Sequence, residues 1–226
     1  MQLLRRAGAE VIFIQEQTCC GQPAYNSGYR QEALSVASTQ IGNFKHDYPI
    51  IVPSASCAGM IKHQWPILFD GHVLQDEACA IAERTYELSE YLIEVLHVRL
   101  KDLGEAKKIA LHNSCSSLRE MNVSRHSEAL LQQLSNIEIV EHERSRECCG
   151  FGGSFALKQA DISGAMVKDK TTSLRNSGAE QVISQDCGCL MNIEGALRKQ
   201  QSEGQNKLPG SHIAEFLWQR THHETD

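Results

Sequence analysis

Two cysteine pairs, each followed directly by glycine, constrain this chain more than any other feature of its sequence. The first pair lies in Cys19-Cys20-Gly21 and the second in Cys148-Cys149-Gly150, which continues as Phe151-Gly152-Gly153. Neighbouring cysteines seldom form a disulfide with each other, because the ring that they close strains the peptide between them. They can place two thiolates on one soft metal centre, and glycine lets backbone approach closely. The chain is therefore expected to bring distant cysteines together at these two turns.

Length and composition indicate an ordinary globular protein. The chain has 226 residues, 41% of them apolar and 22% charged, which is enough for one large domain or two small ones. A net charge of −6 disfavours a nucleic-acid surface. Apolar runs fall far short of the ~20 residues of a membrane span, and no signal-peptide pattern opens the sequence. We therefore expect a cytoplasmic protein whose nine cysteines serve metal or redox chemistry rather than a disulfide framework.

Hydrophobic patterning predicts strands that alternate with helices, which is typical of α/β proteins with parallel sheets. The predicted strands cover residues 11–14, 49–53, 108–112, 137–140 and 181–184, and the predicted helices cover roughly 29–45, 58–68, 75–100, 124–135, 154–175, 190–200 and 211–219. In parallel sheets, binding sites form beyond the C-terminal ends of the strands. Cys57, Cys115 and Cys189 each follow a predicted strand, so they are expected to converge with the CCG turns.

The predicted elements repeat, since each half runs strand, CCG loop, helix, strand, cysteine, helix. We predict two three-layer-like α/β halves with short parallel sheets, related by a pseudo-twofold axis and covering residues 1–104 and 105–226. Cys115 precedes Cys148 by 33 positions, and the same offset from Cys19 falls before Met1. The first half is therefore expected to be truncated at its N-terminus, lacking an opening strand and a cysteine.

The second half offers the larger set of candidate ligands, namely Cys115, Cys148, Cys149 and Cys189, with Cys187 as a possible fifth. Thiolates in this number suit zinc or an iron–sulfur cluster. Adjacent cysteines and a fifth thiol favour the cluster, because one tetrahedral zinc ion needs only four ligands.

The first half offers three candidate metal ligands, Cys19, Cys20 and Cys57. This smaller set is compatible with zinc, with a labile cluster or with no metal at all.

The complete pattern resembles the family of cysteine-rich CCG-domain proteins, and the similarity extends over essentially the whole chain. The motifs that carry it are QTCCGQPAYNSGY at residues 17–29, CCGFGGSF at 148–155 and CLMNI at 189–193. The family includes the CCG-bearing subunit of heterodisulfide reductase and the iron–sulfur subunit of glycolate oxidase, and the resemblance is strongest to members that serve lactate utilisation. One departure is that Cys187 precedes Cys189 by two residues instead of three.

The resemblance implies an iron–sulfur electron-transfer subunit of a cytoplasmic complex that oxidises L-lactate to pyruvate. Other subunits of that complex would be its partners, and this oxidoreductase subunit would not be catalytic alone. In the heterodisulfide reductase relative, CCG cysteines bind non-cubane four-iron clusters. Carried over to this chain, that makes Cys115, Cys148, Cys149 and Cys189 the expected ligands of a 4Fe-4S-type cluster.

Two other functions remain open at the level of sequence. One is a zinc-stabilised assembly or binding module, and the other is a dithiol–disulfide redox protein that uses Cys148 and Cys149. His112, three residues before Cys115, either donates a hydrogen bond to a cluster sulfur or is a satisfied structural histidine. A homo-oligomer is a further option, because a partner copy could cover the edge of the incomplete first half.

Overall fold

The computed structural model describes residues 1–200 and 207–222, and its strands form two all-parallel sheets. The strands are β1 Ile50–Val52, β2 Thr85–Glu87, β3 Lys107–His112, β4 Ile137–Ile139, β5 Gln181–Ser184 and β6 Gly210–His212. The first sheet pairs β1 with β2, and the second has the order β4-β3-β5-β6. The predicted mixed α/β class with short parallel sheets is confirmed.

Helices connect and cover these strands, as parallel pairing requires. They are α1 Gln2–Arg6, α2 Gln22–Asn26, α3 Arg30–Ile41, α4 Ala55–Gly59, α5 Trp65–Leu68, α6 Gln75–Glu83, α7 Leu88–Glu90, α8 Ser124–Gln132, α9 Phe155–Lys158, α10 Ala160–Asn176, α11 Cys187–Lys199 and α12 Ile213–Thr221. Single π-helical turns cover Met60–Gln64, Tyr91–Val95 and Ser116–Glu120. Within the described residues, none of these helices combines the length and the apolar character that a membrane crossing needs.

Strands β3 and β5 form the centre of the larger sheet because their residues are apolar and shielded on both faces. Ile109, Ala110, Val182 and Ile183 are each fully buried. The two strands pair in register from Ile109 opposite Gln181 to His112 opposite Ser184. Their C-terminal ends therefore lie side by side, and the cysteines that follow them begin at the same sheet edge.

The largest apolar core joins residues that are far apart in the sequence. Leu3 and Leu4 of α1 pack in it with residues from α7 and the following π-helical turn, from β3, α8 and β5, and from α12. The side chain of Arg6 also donates a hydrogen bond to the carbonyl oxygen of Thr221 at 2.6 Å. This core takes residues from both sides of residue 104, and a division into two units at that position stays a prediction.

Two predicted elements of the first half are wrong. Residues 11–14 form no strand and have no sheet partner among the described residues. Ile12 and Phe13 are 61% and 57% exposed, and Val11 packs half-buried against the largest apolar core. The predicted helix over residues 75–100 ends at Glu83 and is followed by β2. Glu87 then caps α7 in a capping box with Glu90, which starts a new helix.

The order of elements is alike in the two halves from each CCG turn onward. The first turn is followed by α2 and α3, β1, Cys57 on α4, and β2, while the second is followed by α9 and α10, β5, Cys189 on α11, and β6. The sequence did not indicate β6. A strand before the first CCG turn is absent from the described residues, and the pseudo-twofold relation stays a prediction.

Candidate metal centres

Each CCG turn requires its glycine for a backbone reason. Gly21 and Gly150 have φ angles of 89° and 83°, in the left-handed region that side chains disfavour. A Cβ atom on Gly21 would lie 3.0 Å from the carbonyl oxygen of Ala33, and one on Gly150 would lie 2.8 Å from that of Ser163. The two glycines therefore give room to the backbones of α3 and α10. The sequence had suggested that they make room for a metal centre.

The first cysteine of each pair accepts a hydrogen bond from the glycine of its own turn. The distance from the Gly21 nitrogen to Cys19 Sγ is 3.4 Å, and that from the Gly150 nitrogen to Cys148 Sγ is 3.3 Å. Each turn thus directs one backbone donor at one sulfur, and at Cys148 this bond contributes to a lowered pKa.

The carbonyl oxygen of the second cysteine in each pair accepts a hydrogen bond from a helical segment, the one after Cys57 in the first half and the one after Cys189 in the second. Trp65 Nε1 donates to the oxygen of Cys20 at 3.0 Å, and Asn192 Nδ2 donates to the oxygen of Cys149 at 2.8 Å. Because these donors lie on the segments that begin near Cys57 and Cys189, the distant cysteines are tied to the CCG turns.

Four thiols converge in the second half, and we call them the second cysteine set: Cys115, Cys148, Cys149 and Cys189. The Cys148 thiol interacts with those of Cys115 and Cys149, and Cys149 interacts in turn with Cys189. The sulfurs of Cys149 and Cys189 lie within 4.8 Å of each other. Cys149 is only 2% exposed, whereas the other three are half-buried. Three separate chain segments thus supply neighbouring sulfurs.

Three of these thiols have pKa values that differ from that of a free cysteine. Hydrogen bonds from Cys115 and Cys149, with that of the Gly150 N–H, lower the pKa of Cys148. Hydrogen bonding to Cys148, together with burial, raises the pKa values of Cys115 and Cys149. Cys148 is therefore the thiolate of the metal-free set, and its neighbours donate to it.

His112, at the end of β3, faces this set. One ring nitrogen lies within 4.8 Å of the sulfurs of Cys149 and Cys189. The side chain is fully buried, and neither ring nitrogen has a hydrogen-bond partner among the described residues. Burial lowers the pKa of His112 to about 3, and repulsion from Lys170 and His142 acts in the same direction.

Lys170 brings a second basic group to the same region. It is 1% exposed and donates a hydrogen bond to the carbonyl oxygen of Arg144. Burial lowers the pKa of Lys170, while attraction to Glu147 and to the Cys149, Cys148 and Cys115 sulfurs opposes that shift. A buried ammonium group needs a counter-charge, and the attraction from Glu147 is the largest, followed by that from the second cysteine set.

The first half brings two of its three candidate cysteines together. The sulfurs of Cys20 and Cys57 are 3.3 Å apart, whereas Cys19 is exposed. The hydrogen bond from Cys20 lowers the pKa of Cys57 to about 7, against the opposing effect of burial. The same hydrogen bond raises the pKa of Cys20.

A buried carboxylate from the second half lies beside this first set. Asp186 Oδ1 accepts hydrogen bonds from the hydroxyl groups of Ser54 and Ser56 at 2.6 and 2.7 Å, and from the Ser56 backbone N–H at 3.1 Å. His212 adds a second link, because its Nε2 lies 2.9 Å from the oxygen of Pro53 and 2.8 Å from that of Gln185. The ends of β1 and β5 are thereby fastened together.

Cys187, the possible fifth ligand, begins α11 with an exposed side chain. Burial of its sulfur raises the pKa of Cys187, and the charges of Asp186 and Cys57 add to the effect. This thiol is therefore within electrostatic reach of the first half, and its role as a fifth ligand of the second centre stays a prediction.

The donor chemistry of the second set fits a soft metal group. It combines four convergent thiols, one of them fully buried, with a backbone N–H on a sulfur and an unpartnered buried imidazole. Hard cations select oxygen ligands instead. Cys20 and Cys57 alone provide two close sulfurs, which is a smaller basis for a metal in the first half.

Parallel sheets with paired CCG turns, and cysteines gathered after the strands, define a class that the family comparison identifies. The model of the cysteine-rich domain known as CCG matches residues 1–62 and 109–194. The chain belongs to this family of CCG cysteine-rich domain proteins.

Individual relatives carry a more specific name. The chain is 40% identical to lactate utilization protein A of Oceanobacillus iheyensis, over 99% of this chain and 89% of the relative. It is 39% identical to the protein of that name from a Geobacillus species and 37% identical to that from Bacillus pumilus, in each case over 96% of this chain and 90% of the relative. The similarity therefore extends over nearly the whole length of this chain and over most of each relative.

Sequence reasoning anticipated the cysteines but missed three of the groups around them. Lys170 lies far from every cysteine motif in the sequence, and His142 precedes Cys148 by six residues without a recognisable ligand spacing, so no local pattern connects them with the site. Asp186 stands directly before Cys187, and a lone acid at the end of a buried strand was the available signal.

Proposed function

We propose that this protein is an iron–sulfur electron carrier in lactate utilisation. The observation that carries the proposal is the convergence of Cys115, Cys148, Cys149 and Cys189 from three separated segments of the chain. Membership of the CCG family and the name of its relatives support the lactate-related role. Nothing in the sequence has the pattern of a flavin or nicotinamide site, so the proposed role is transfer of electrons within a complex.

The proposed ligands of the second centre are the four thiols of the second cysteine set, with Cys187 as a possible fifth. A four-iron cluster, when bound, supplies reversible one-electron transfer. Cys148 offers a thiolate, while Cys115 and Cys149 must lose protons, so loading of the centre should release protons. The Gly150 N–H on Cys148 Sγ would stabilise the more negative, reduced state.

The first centre is proposed to hold zinc or no metal, with Cys19, Cys20 and Cys57 as its candidate ligands. Only Cys20 and Cys57 are in sulfur contact, and the negative charge of Asp186 acts on Cys57. A repulsive carboxylate disfavours additional thiolates there, which supports a weaker or empty site.

Other subunits of a lactate-oxidising complex are the proposed partners. Lactate oxidation by a two-electron step needs a group that accepts a hydride or an electron pair, and a one-electron centre then passes the electrons onward. The proposed division of labour gives that first step to a partner subunit.

The test is the metal content of the protein after purification without oxygen. We expect iron and acid-labile sulfide with broad visible absorption, and loss of most of the iron in Cys149→Ser. Cys79→Ser is the matched control, because Cys79 is a half-buried thiol of α6 outside both cysteine sets. A colourless protein with stoichiometric zinc, or a metal-free protein with a Cys148–Cys149 disulfide that cycles on reduction, would refute the proposal in favour of a zinc module or a dithiol enzyme.

A further inference from the structure

The side chain of His112 has an unmet hydrogen-bonding capacity that points to a role at the second centre. A neutral imidazole carries one N–H donor and one acceptor nitrogen. Both nitrogens of His112 are buried and without a partner among the described residues. Leaving such a donor unsatisfied is destabilising, so a buried histidine is normally placed against an acceptor.

The available acceptors are the sulfurs in front of the ring. A ring nitrogen of His112 is within 4.8 Å of Cys149 Sγ and Cys189 Sγ. Thiols are weak acceptors. Thiolates and sulfides of a loaded centre are stronger acceptors, because the hydrogen bond becomes charge-assisted.

The backbone around His112 holds the ring in place. The ring itself belongs to the last residue of a buried strand, and β5 pairs with that residue through Ser184. Its position is therefore fixed by the sheet, as a group that tunes a metal centre requires.

We propose that His112 donates an N–H hydrogen bond to a sulfur of the metal centre held by Cys149 and Cys189, and thereby raises its reduction potential. The inference rests on the proposed function. Reduction adds negative charge to the sulfurs, and a hydrogen bond to sulfur stabilises that charge. His112 is in this sense a positioning and tuning residue and leaves the ligand role to the thiols.

The test uses the full-length protein purified without oxygen, with histidine labelled by ¹⁵N. In the paramagnetic state we expect a weak nitrogen coupling from a hydrogen-bonded imidazole, and its loss in His112→Leu. The reduction potential should fall in His112→Leu and recover in part in His112→Gln, whose amide N–H can reach the same sulfur. His126→Leu is the control, because His126 is also buried with one unpartnered ring nitrogen but bonds to Glu94.

The outcomes separate this inference from the function on which it rests. Iron in the unmodified protein with no nitrogen coupling, with the strong coupling of a directly ligated imidazole, or with an unchanged potential in His112→Leu would overturn the role of His112 alone. If His112→Leu does not fold, His112→Gln and the spectrum of the unmodified protein decide the question. Absence of iron from the unmodified protein would overturn the proposed function and this inference together.

Discussion

The two CCG regions share one backbone design and differ in the charges around it. In both, a left-handed glycine fits against a following helix, donates to the first sulfur, and leaves the second cysteine tied by its carbonyl oxygen. The first region faces the carboxylate of Asp186, whereas the second faces His112 and Lys170. Since thiolates are stabilised by basic neighbours and destabilised by acidic ones, the same turn should hold metal more strongly in the second region.

The largest effect is expected from the glycines, because they test whether the shared design is equally strict in both regions. Gly150→Ala should destabilise the protein by about 3 kcal/mol, since strain in the left-handed region adds to overpacking against Ser163 and Met166. Gly21→Ala should cost about 2 kcal/mol, because its nearest contact is longer. Denaturant-induced unfolding measures both values.

Gly164→Ala is the control for these substitutions. Gly164 lies within α10, has no atom within 4 Å of a Cβ position and should tolerate alanine with a gain of up to ~1 kcal/mol. If Gly21→Ala and Gly164→Ala changed the free energy of unfolding by the same amount, the first turn would not be constrained as the second is.

The next prediction concerns Glu87, a buried acidic residue of the first region, and the change of stability with pH that it causes. Burial raises the pKa of Glu87 from 4.5 to about 7, with a smaller contribution from Asp186. The stability that Glu87 contributes is thus fully present below about pH 4.5 and is lost as the pH rises through about 7. The contribution of Glu87 to the free energy of unfolding should fall by about 3 kcal/mol over this range. It is read as the difference between the pH profiles of the unmodified protein and Glu87→Gln, because the lowered pKa values of His112 and His142 act in the opposite direction.

Glu138→Gln serves as the control for Glu87, because Glu138 is 61% exposed on β4. That variant should keep the pH dependence of the unmodified protein. Parallel pH profiles of the unfolding free energy in the unmodified protein and in Glu87→Gln would contradict a protonated Glu87.

The smallest expected effect comes from removing the negative charge of Asp186, which lies beside the first region. Asp186→Asn should lower the pKa of Cys57, because the repulsion from the carboxylate disappears while an oxygen acceptor for Ser54 and Ser56 remains. Alkylation of Cys57 in the metal-free protein near pH 6 should become on the order of threefold faster, as read by peptide mass spectrometry. Asp169→Asn, which changes an exposed side chain of α10, should leave the alkylation rate of Cys57 unchanged. A slower alkylation rate in Asp186→Asn would count against the repulsion.

The sequence was sufficient for the features that repeat or alternate. Buried strands such as β3 and β5 have adjacent apolar residues at their centres, and the spacing of cysteines after strands predicted the convergence of Cys57 with Cys20 and of Cys189 with Cys149. Strands β2 (Thr-Tyr-Glu) and β6 (Gly-Ser-His) have no apolar run, unlike the equally short β1. Their strand conformation comes from pairing with β1 and β5, and pairing partners are not visible in a local window.

The polar surroundings of the sites were beyond sequence reasoning for a similar reason. His112 was noticed because it lies near Cys115, but its burial and missing partners follow from packing. Lys170 and Asp186 reach the centres from α10 and from the end of β5, and only the assembled sheet brings them there. The segment at residues 11–14 misled in the opposite direction, because its apolar residues resemble a strand but have no strand beside them among the described residues.

The core shared by α1 and α12 also bears on the order in which the chain can fold. Leu3 and Leu4 make their buried contacts with residues as distant as Phe216 and Leu217, so these contacts form only after almost the whole chain has left the ribosome. Contacts between such distant residues slow folding, because a long loop must close before any of them is gained. The N-terminal segment that leads to the first CCG turn must therefore wait unpaired during synthesis, and insertion of metal at the second centre can precede its docking.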